Sequence, residues 1–416
     1  MRVKSWMASL ALFLAAAAGS AGAAEGPIPA GVPELNHVFL IMMENHAYSQ
    51  IVNNPNAPFT NSLMANSNVA NNYFAVAHPS LTNYLEVVGG SNFGVLDDNS
   101  PDWHNAACTP NIVSGVTSFE STATAICPIA FVGVDAVTPA IDYTNETTGP
   151  PGDININGTL SIPPAPTVGK SIADQLVAAG MSWKSYQESL PPTGADGVNN
   201  ADGFFSNLTN WSTTAALQNT NLVALYAVKH NPFAYFADVQ AGLNPKNSLN
   251  NMADFEGARG LFADLASGNV PDFAFIAPNQ CNDQHGRGNA GPVCDYDPND
   301  NGTQVGLNPG LIYQGDATLR HLVTAIKSSP AWSRGNNAIV IIWDENDYSI
   351  APTTNQVLAI VDTSYSAGGV QSKRFYTHFS LLKTIEAGFG LPCLNHACDP
   401  NVQVMSDLFQ GGFGGK

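Results

Sequence analysis

Three separated stretches of the chain are apolar at every position and stop abruptly at carboxylate or amide side chains. Val38–Met43 runs into Glu44 and Asn45, Phe273–Ala277 leads to Asn279, Asn282 and Asp283, and Ala338–Trp343 ends in Asp344, Glu345, Asn346 and Asp347. A strand with water on one face alternates polar and apolar residues, so uninterrupted apolar runs predict strands covered on both faces. Sheets of that kind are mostly parallel and flanked by helices, and their ligands bind beyond the carboxyl ends of the strands. The fold class expected is therefore α/β, with a mostly parallel central sheet covered by helices on both faces. Three acidic strand ends are expected to meet in one crevice.

Helical spacing of apolar residues appears in Ser171–Gly180, Ala317–Ser328 and Phe379–Ala387, with Gly180 and Gly388 as expected stops. Two stretches near 97–166 and 286–308 are crowded with Pro, Gly, Asn and Thr and are expected to be long loop insertions. No internal repeat is evident. The 416 residues exceed a typical domain, but large α/β enzymes do so as one unit, and residues 25–416 are read as a single domain with those insertions.

Residues 1–24 carry Arg2 and Lys4, then an apolar run and small residues, the pattern of a secretory signal peptide cleaved near Ala24. The expected location is secreted or periplasmic, with no stable membrane insertion, because no later run reaches the ~18 apolar residues of a spanning helix. The six cysteines all follow the signal, and in an oxidising compartment they favour disulfides. They fall into three local pairs, giving the expectation Cys108–Cys127, Cys281–Cys294 and Cys393–Cys398. A formal net charge of −18 argues against a nucleic-acid partner, whose phosphates require a basic face. Charged residues are only 12%, with 44% hydrophobic, which excludes disorder for the bulk of the chain.

Glu44, Asn45, Asp344 and Glu345 form an oxygen-rich set suited to a divalent cation of unspecified identity. Any one of these acids alone would read as a helix cap after its strand. Ser80 precedes the apolar helical run Leu81–Leu85, where backbone N–H groups favour a phosphate or an alkoxide; the ordinary alternative is an N-cap serine. His230, His285 and His378 each stand in a suggestive setting, although a lone histidine is more often structural than catalytic. His37, His104, His321 and His396 are read as structural or surface residues.

Taken in order, the motifs carry a resemblance. They are Glu44-Asn45, His78-Pro-Ser80-x-x-Asn83-Tyr84, Trp183-x-x-Tyr186-x-Glu188, Lys229-His230-Asn-Pro232, Asn279-x-Cys281-Asn282-Asp283-x-His285, Trp343-Asp-Glu-x-Asp347 and His378-Phe-Ser. Together they resemble the secreted acid phosphatase and phospholipase C phosphoesterase family, within the alkaline-phosphatase-like superfamily. Asn36–Gly94 is most similar to the shorter bacterial secreted members. The resemblance implies that Ser80 is a nucleophile forming a phosphoserine, that Asn83 contacts a phosphate oxygen, and that Glu44, Asn45, Asp344 and Glu345 hold the metal. It further implies that His230, His285 and His378 surround the phosphate, in ligand, phosphate-binding or general-acid roles it does not separate. Thr82, Gly286 and Tyr348 depart from the family's usual Pro, acid and Gly, which bears on substrate preference more than on the chemistry.

The expected activity is a metal-dependent acid phosphatase acting on small phosphomonoesters. The alternatives are a phospholipase C-type phosphodiesterase on the same site, and a non-catalytic calcium-binding module using Asp295, Asp297 and Asp300. That acidic loop lacks the spacing and closing Glu of an EF-hand. Oligomeric state is left open.

Overall fold

This computed structural model describes residues 25–95, 97–101, 126–135, 155–156, 160–161, 166–191, 225–285, 309–346 and 355–410. The expected signal peptide, most of both expected loops and the Asp295–Asp300 cluster lie outside them. Nine strands build the main sheet: β1 (His37–Met43), β2 (Asn68–Phe74), β3 (Trp183–Gln187), β4 (Met252–Ala253), β5 (Phe273–Ala277), β6 (Asn337–Trp343), β7 (Gln356–Thr363), β8 (Gln371–Ser372) and β9 (Tyr376–Thr377). Their spatial order is β8-β2-β7-β6-β1-β5-β3-β4, with β9 also pairing with β2. The pairings are parallel except where β7 runs against both β6 and β2.

The three apolar runs become β1, β5 and β6, which are adjacent at the centre of the sheet. All residues of β5 and β6 are buried, and all of β1 after His37. Because successive side chains point to opposite faces, continuous burial requires cover on both. One apolar cluster runs from Leu35 to Phe409 and includes residues of all three strands.

The helices that matter to the site are α1 (Tyr48–Ile51), α2 (Pro58–Asn66), α3 (Ser80–Gly89), α4 (Ile172–Ala178), α5 (Leu261–Ser267), α6 (Pro309–Ser328) and α7 (His378–Phe389). Helix α2 starts with Pro at N1, and its free N–H groups at Phe59 and Thr60 are received by Asp316 of α6 at 2.9 and 2.7 Å. In α4, Ser171 and Asp174 form a capping box. Helix α3 is buried at every residue and packs against α7.

Two expectations change. Helix α6 starts at Pro309, well before Ala317; Leu311, Ile312, Gly315 and Asp316 carry the buried stripe forward. Helix α7 runs through Gly388 and ends at Gly390, whose φ of 65° supplies the left-handed cap. Gly388 serves packing instead, since a Cβ there would lie 2.5 Å from Leu35 Cδ1. A strand, β2, intervenes between α2 and His78.

The Cys393–Cys398 disulfide is present as expected. Cys127 and Cys281 are also disulfide-bonded, and their expected partners Cys108 and Cys294 lie outside the described residues.

Candidate active site

The adjacency of β5, β1 and β6 places their C-terminal ends side by side. Met43 pairs with Trp343, so Glu44 and Asp344 leave the sheet as neighbours. The Glu44 N–H donates to the Asp283 carbonyl at 2.9 Å, and the Asn45 N–H donates to Asp344 Oδ1 at 2.9 Å. Asn45 sits at φ 53°, a left-handed conformation that asparagine tolerates better than most residues. Glu44, Asp344, Glu345 and Asp283 are all at most 1% exposed.

Ser80 is the first residue of α3, following Pro79 at the N-cap, and is buried. Its hydroxyl lies 3.2 Å from Glu44 Oε2 and 3.3 Å from Glu345 Oε1. Glu345 is in turn gripped by His78 Nδ1 at 2.8 Å and by the Asn83 amide at 3.1 Å. Asn83 lies beside Ser80 in the helix but is engaged with the segment before it. Its Oδ1 accepts from the Val76 and Ala77 N–H groups, and its Nδ2 donates to the Ala77 carbonyl at 2.8 Å.

The three histidines take different positions. His230 Nε2 is 3.2 Å from Glu44 Oε1, its Nδ1 is 3.5 Å from Asp283 Oδ2, and its ring stacks on Tyr84 at 5.2 Å. His285 Nδ1 is 3.9 Å from Glu44 Oε2, and its backbone N–H is held by Asp283 Oδ1. His378 bonds through Nε2 to the Asp344 carbonyl at 2.7 Å and through Nδ1 to the Tyr73 hydroxyl at 2.9 Å. Burial lowers its pKa to about 4, so it is neutral across the physiological range.

Burial, and then the Asp344 charge, raise the Glu44 carboxyl well above its usual range; burial raises Asp344 as well. Several acids are buried together, and like charges so placed resist ionising together. Among the described residues, no three His, Cys, Asp or Glu side chains are already gathered into a metal-sized cage.

Several contributors escaped the sequence reading. Tyr84 donates to Glu44 Oε1 at 2.5 Å, and burial with the nearby carboxylates keeps its phenol protonated. Lys229 Nζ lies 3.5 Å from Ser80 Oγ and 2.7 Å from Asp98 Oδ2. His78 ties Glu345 to Asn346, and Asp283, expected in the crevice as one of the acidic strand ends but given no role there, faces His230. Lys229, Tyr84, Asp283 and His78 all lie inside the recognised motifs, so their types were visible; that they meet at one point depends on tertiary contacts. Asp98 carries no such signal.

The sequence profile of the Phosphoesterase family matches residues 50–292 and 308–392, well over half of the chain. A phosphatidylinositol-3-phosphatase of Mycobacterium tuberculosis is 23% identical over 386 residues, covering 92% of this chain and 86% of that protein. An acid phosphatase of Aspergillus fumigatus is 23% identical over 369 residues, covering 88% of this chain but only 58% of that protein. Among solved structures, an alkaline phosphatase superfamily protein from Vibrio parahaemolyticus matches with a TM-score of 0.46 at 12% identity, covering 91% of this chain and 73% of that one. A phosphonate monoester hydrolase of Agrobacterium radiobacter matches with a TM-score of 0.41 at 12% identity, covering 88% and 78%.

Proposed function

The chain belongs to the Phosphoesterase family and is a hydrolase of phosphoric esters, and we propose that it is a secreted, metal-dependent acid phosphatase acting on phosphomonoesters through a phosphoserine at Ser80. The observation that carries this reading is the setting of the Ser80 hydroxyl, at the start of a buried helix and facing two buried carboxylates at 3.2 and 3.3 Å. Phosphoryl transfer asks for an in-line nucleophile and positive charge near the phosphoryl oxygens, with little further covalent chemistry. The named relatives are phosphatases, which favours the monoester reading over the diesterase alternative. Secretion rests on the signal-like residues 1–24, and no described helix is long and apolar enough to cross a membrane.

The donor set fits a divalent cation. Glu44, Asn45, Asp344 and Glu345 are oxygen donors, His230 and His285 add nitrogens beside Glu44, and the raised carboxyls mark negative charge that a cation would relieve. When bound, such an ion neutralises this charge and eases formation of a serine alkoxide. The remaining steps fall to the protein's own groups. Glu345, held by His78 and Asn83, faces Oγ and takes its proton. The Oγ–P bond forms as the bond from phosphorus to the alcohol oxygen breaks, and that oxygen takes up a proton. Water then attacks the phosphoserine, with His230 or His285 positioned to handle its proton. His378 holds the Asp344 carbonyl and the Tyr73 hydroxyl in place.

Acid-quenching the enzyme with a radiolabelled phosphomonoester should trap label on the peptide containing Ser80. Ser80→Ala should fold yet lose several orders of magnitude of turnover, while Ser62→Ala, on α2, should be nearly neutral. Wild-type turnover in Ser80→Ala would end this mechanism. Turnover of a choline phosphodiester in preference to a chromogenic monoester would move the assignment to the diesterase reading.

A further inference from the structure

The motif Lys229-His230 sits on a single buried 3-10 turn, Val228–His230, that packs against α3. The two side chains divide between the two halves of the site: His230 reaches Glu44 and Asp283, while Lys229 reaches Ser80. Lys229 is 8% exposed, and its ammonium lies 3.5 Å from the Ser80 hydroxyl oxygen. A buried cation of this kind needs a partner, and Asp98 provides it at 2.7 Å. Asp98 does a second thing with its other oxygen, accepting the Leu81 N–H at the start of α3 at 3.0 Å. One carboxylate therefore fixes the ammonium relative to the helix end that presents Ser80. Surface lysines rarely hold one geometry, because four methylenes leave the ammonium free to wander. Here burial and Asp98 restrict it.

We propose that Lys229 is a catalytic residue of this phosphatase, its ammonium holding the phosphoryl oxygens and the Ser80 oxygen during transfer, and that Asp98 is the residue that positions it. The inference rests on the Ser80 reading above and extends it to a group that the motif-based site did not include. In the transfer step the Oγ–P bond forms while the bond to the alcohol oxygen breaks, and the proton leaving Oγ passes by way of the carboxylates to the departing oxygen. Lys229 keeps all its protons throughout. Its role is to place fixed positive charge where negative charge develops, among buried side chains where such charge acts strongly. The acids around Ser80 make this contribution necessary, since a phosphate dianion entering a wall of carboxylates is repelled unless cations face it.

The test compares full-length wild type, Lys229→Met, Lys229→Ala, Asp98→Asn, Ser80→Ala and the exposed control Lys246→Ala on p-nitrophenyl phosphate, with inorganic phosphate as competing inhibitor. Lys229→Met keeps the apolar stem and removes the charge. It should lose about 10²–10³-fold in kcat/KM, raise the inhibition constant of inorganic phosphate at least about tenfold, and leave metal content unchanged. Asp98→Asn should show the same pattern in smaller measure, and Lys246→Ala should match wild type. Ethylammonium should restore part of the turnover of Lys229→Ala, a response that a merely structural lysine would not give. If Lys229→Met keeps kcat/KM and phosphate inhibition within twofold of wild type while Ser80→Ala is dead, the Lys229 assignment is overturned and the serine mechanism stands. Should Lys229→Met fail to fold, Asp98→Asn carries the decision, and unchanged kinetics in that variant overturn the proposal. An active Ser80→Ala would instead remove the reading on which the inference rests.

Discussion

At the scale of single residues, the site is a set of acids whose arrangement depends on neutral donors. Glu44 accepts from Tyr84, lies against His230 and faces the Ser80 hydroxyl, so both of its oxygens have assigned neighbours. Tyr84→Phe removes one donor and leaves the ring stack with His230 intact. Groups that orient a ligand without touching substrate typically cost ten- to a hundredfold when removed. A loss of about that size in kcat/KM is expected, with little change in thermal stability; activity equal to wild type would show that the short Tyr84–Glu44 contact has no functional weight. Glu44, Ser80, Asp344 and the three histidines could be singled out in the sequence as candidates because each stands in a motif, although His378 turns both ring nitrogens to the Asp344 carbonyl and the Tyr73 hydroxyl. Lys229, Tyr84 and Asp98 were not, since a lysine's burial and the partner it meets 131 residues away depend on folding.

At the scale of elements, the sequence showed the central strands clearly and the edge of the sheet poorly. β1, β5 and β6 are buried on both faces and therefore carry uninterrupted apolar runs. β2, Asn-Val-Ala-Asn-Asn-Tyr-Phe, holds three asparagines that β-propensity disfavours, and its partners make it a strand: β7 on one side, β8 and β9 on the other. Helix ends were misplaced for a related reason, as with Gly388, where a glycine chosen for close packing resembles a stop. Gly90 is a true stop, ending the helix that begins with Ser80. It has φ 69°, and a Cβ there would approach the Leu394 carbonyl oxygen to 2.5 Å. The left-handed backbone alone costs about 1–2 kcal/mol for an alanine, and a contact with backbone cannot be relieved by a side-chain rotation. Gly90→Ala should thus lose at least about 2 kcal/mol in denaturant unfolding, and a loss under about 0.5 kcal/mol would refute this account.

At the scale of the whole molecule, two buried electrostatic centres flank α3 and respond oppositely to charge. At its C-terminal side, His396 lies between Asp135 and Asp399, the latter at 2.8 Å. Burial opposes its protonation, but hydrogen bonds and the charges of the two aspartates prevail and hold its pKa up to about 10. The folded state therefore binds a proton more tightly than the unfolded chain. The stabilisation is complete below the unfolded value near 6.5 and is lost as pH rises toward 10. Glu86 nearby, raised mainly by burial and then by Asp135, weakens the fold in the same direction as pH rises. Wild type should lose roughly 1–3 kcal/mol between about pH 6.5 and 10, and His396→Gln should flatten that slope; an unchanged slope would place the alkaline loss elsewhere.

At the N-terminal side of α3 the imbalance is negative. There Glu44, Asp344, Asp283 and Glu345 are buried together, and the energetic cost of their mutual repulsion is what a bound cation would remove. A divalent ion that binds the folded state alone stabilises it by about 2.7 kcal/mol at a hundredfold excess over Kd. Saturating metal should therefore raise Tm, and dialysis against chelator should lower Tm and abolish activity reversibly. Asp344→Asn separates stability from function. It preserves the acceptor for the Asn45 N–H, removes one of the repelling charges, and should make the metal-free protein more stable by about 1–3 kcal/mol while destroying activity and the thermal response to metal. Full activity in protein shown by elemental analysis to be metal-free would defeat the metal reading. An Asp344→Asn protein less stable than metal-free wild type would show instead that this carboxylate is held by favourable contacts rather than strained by its neighbours.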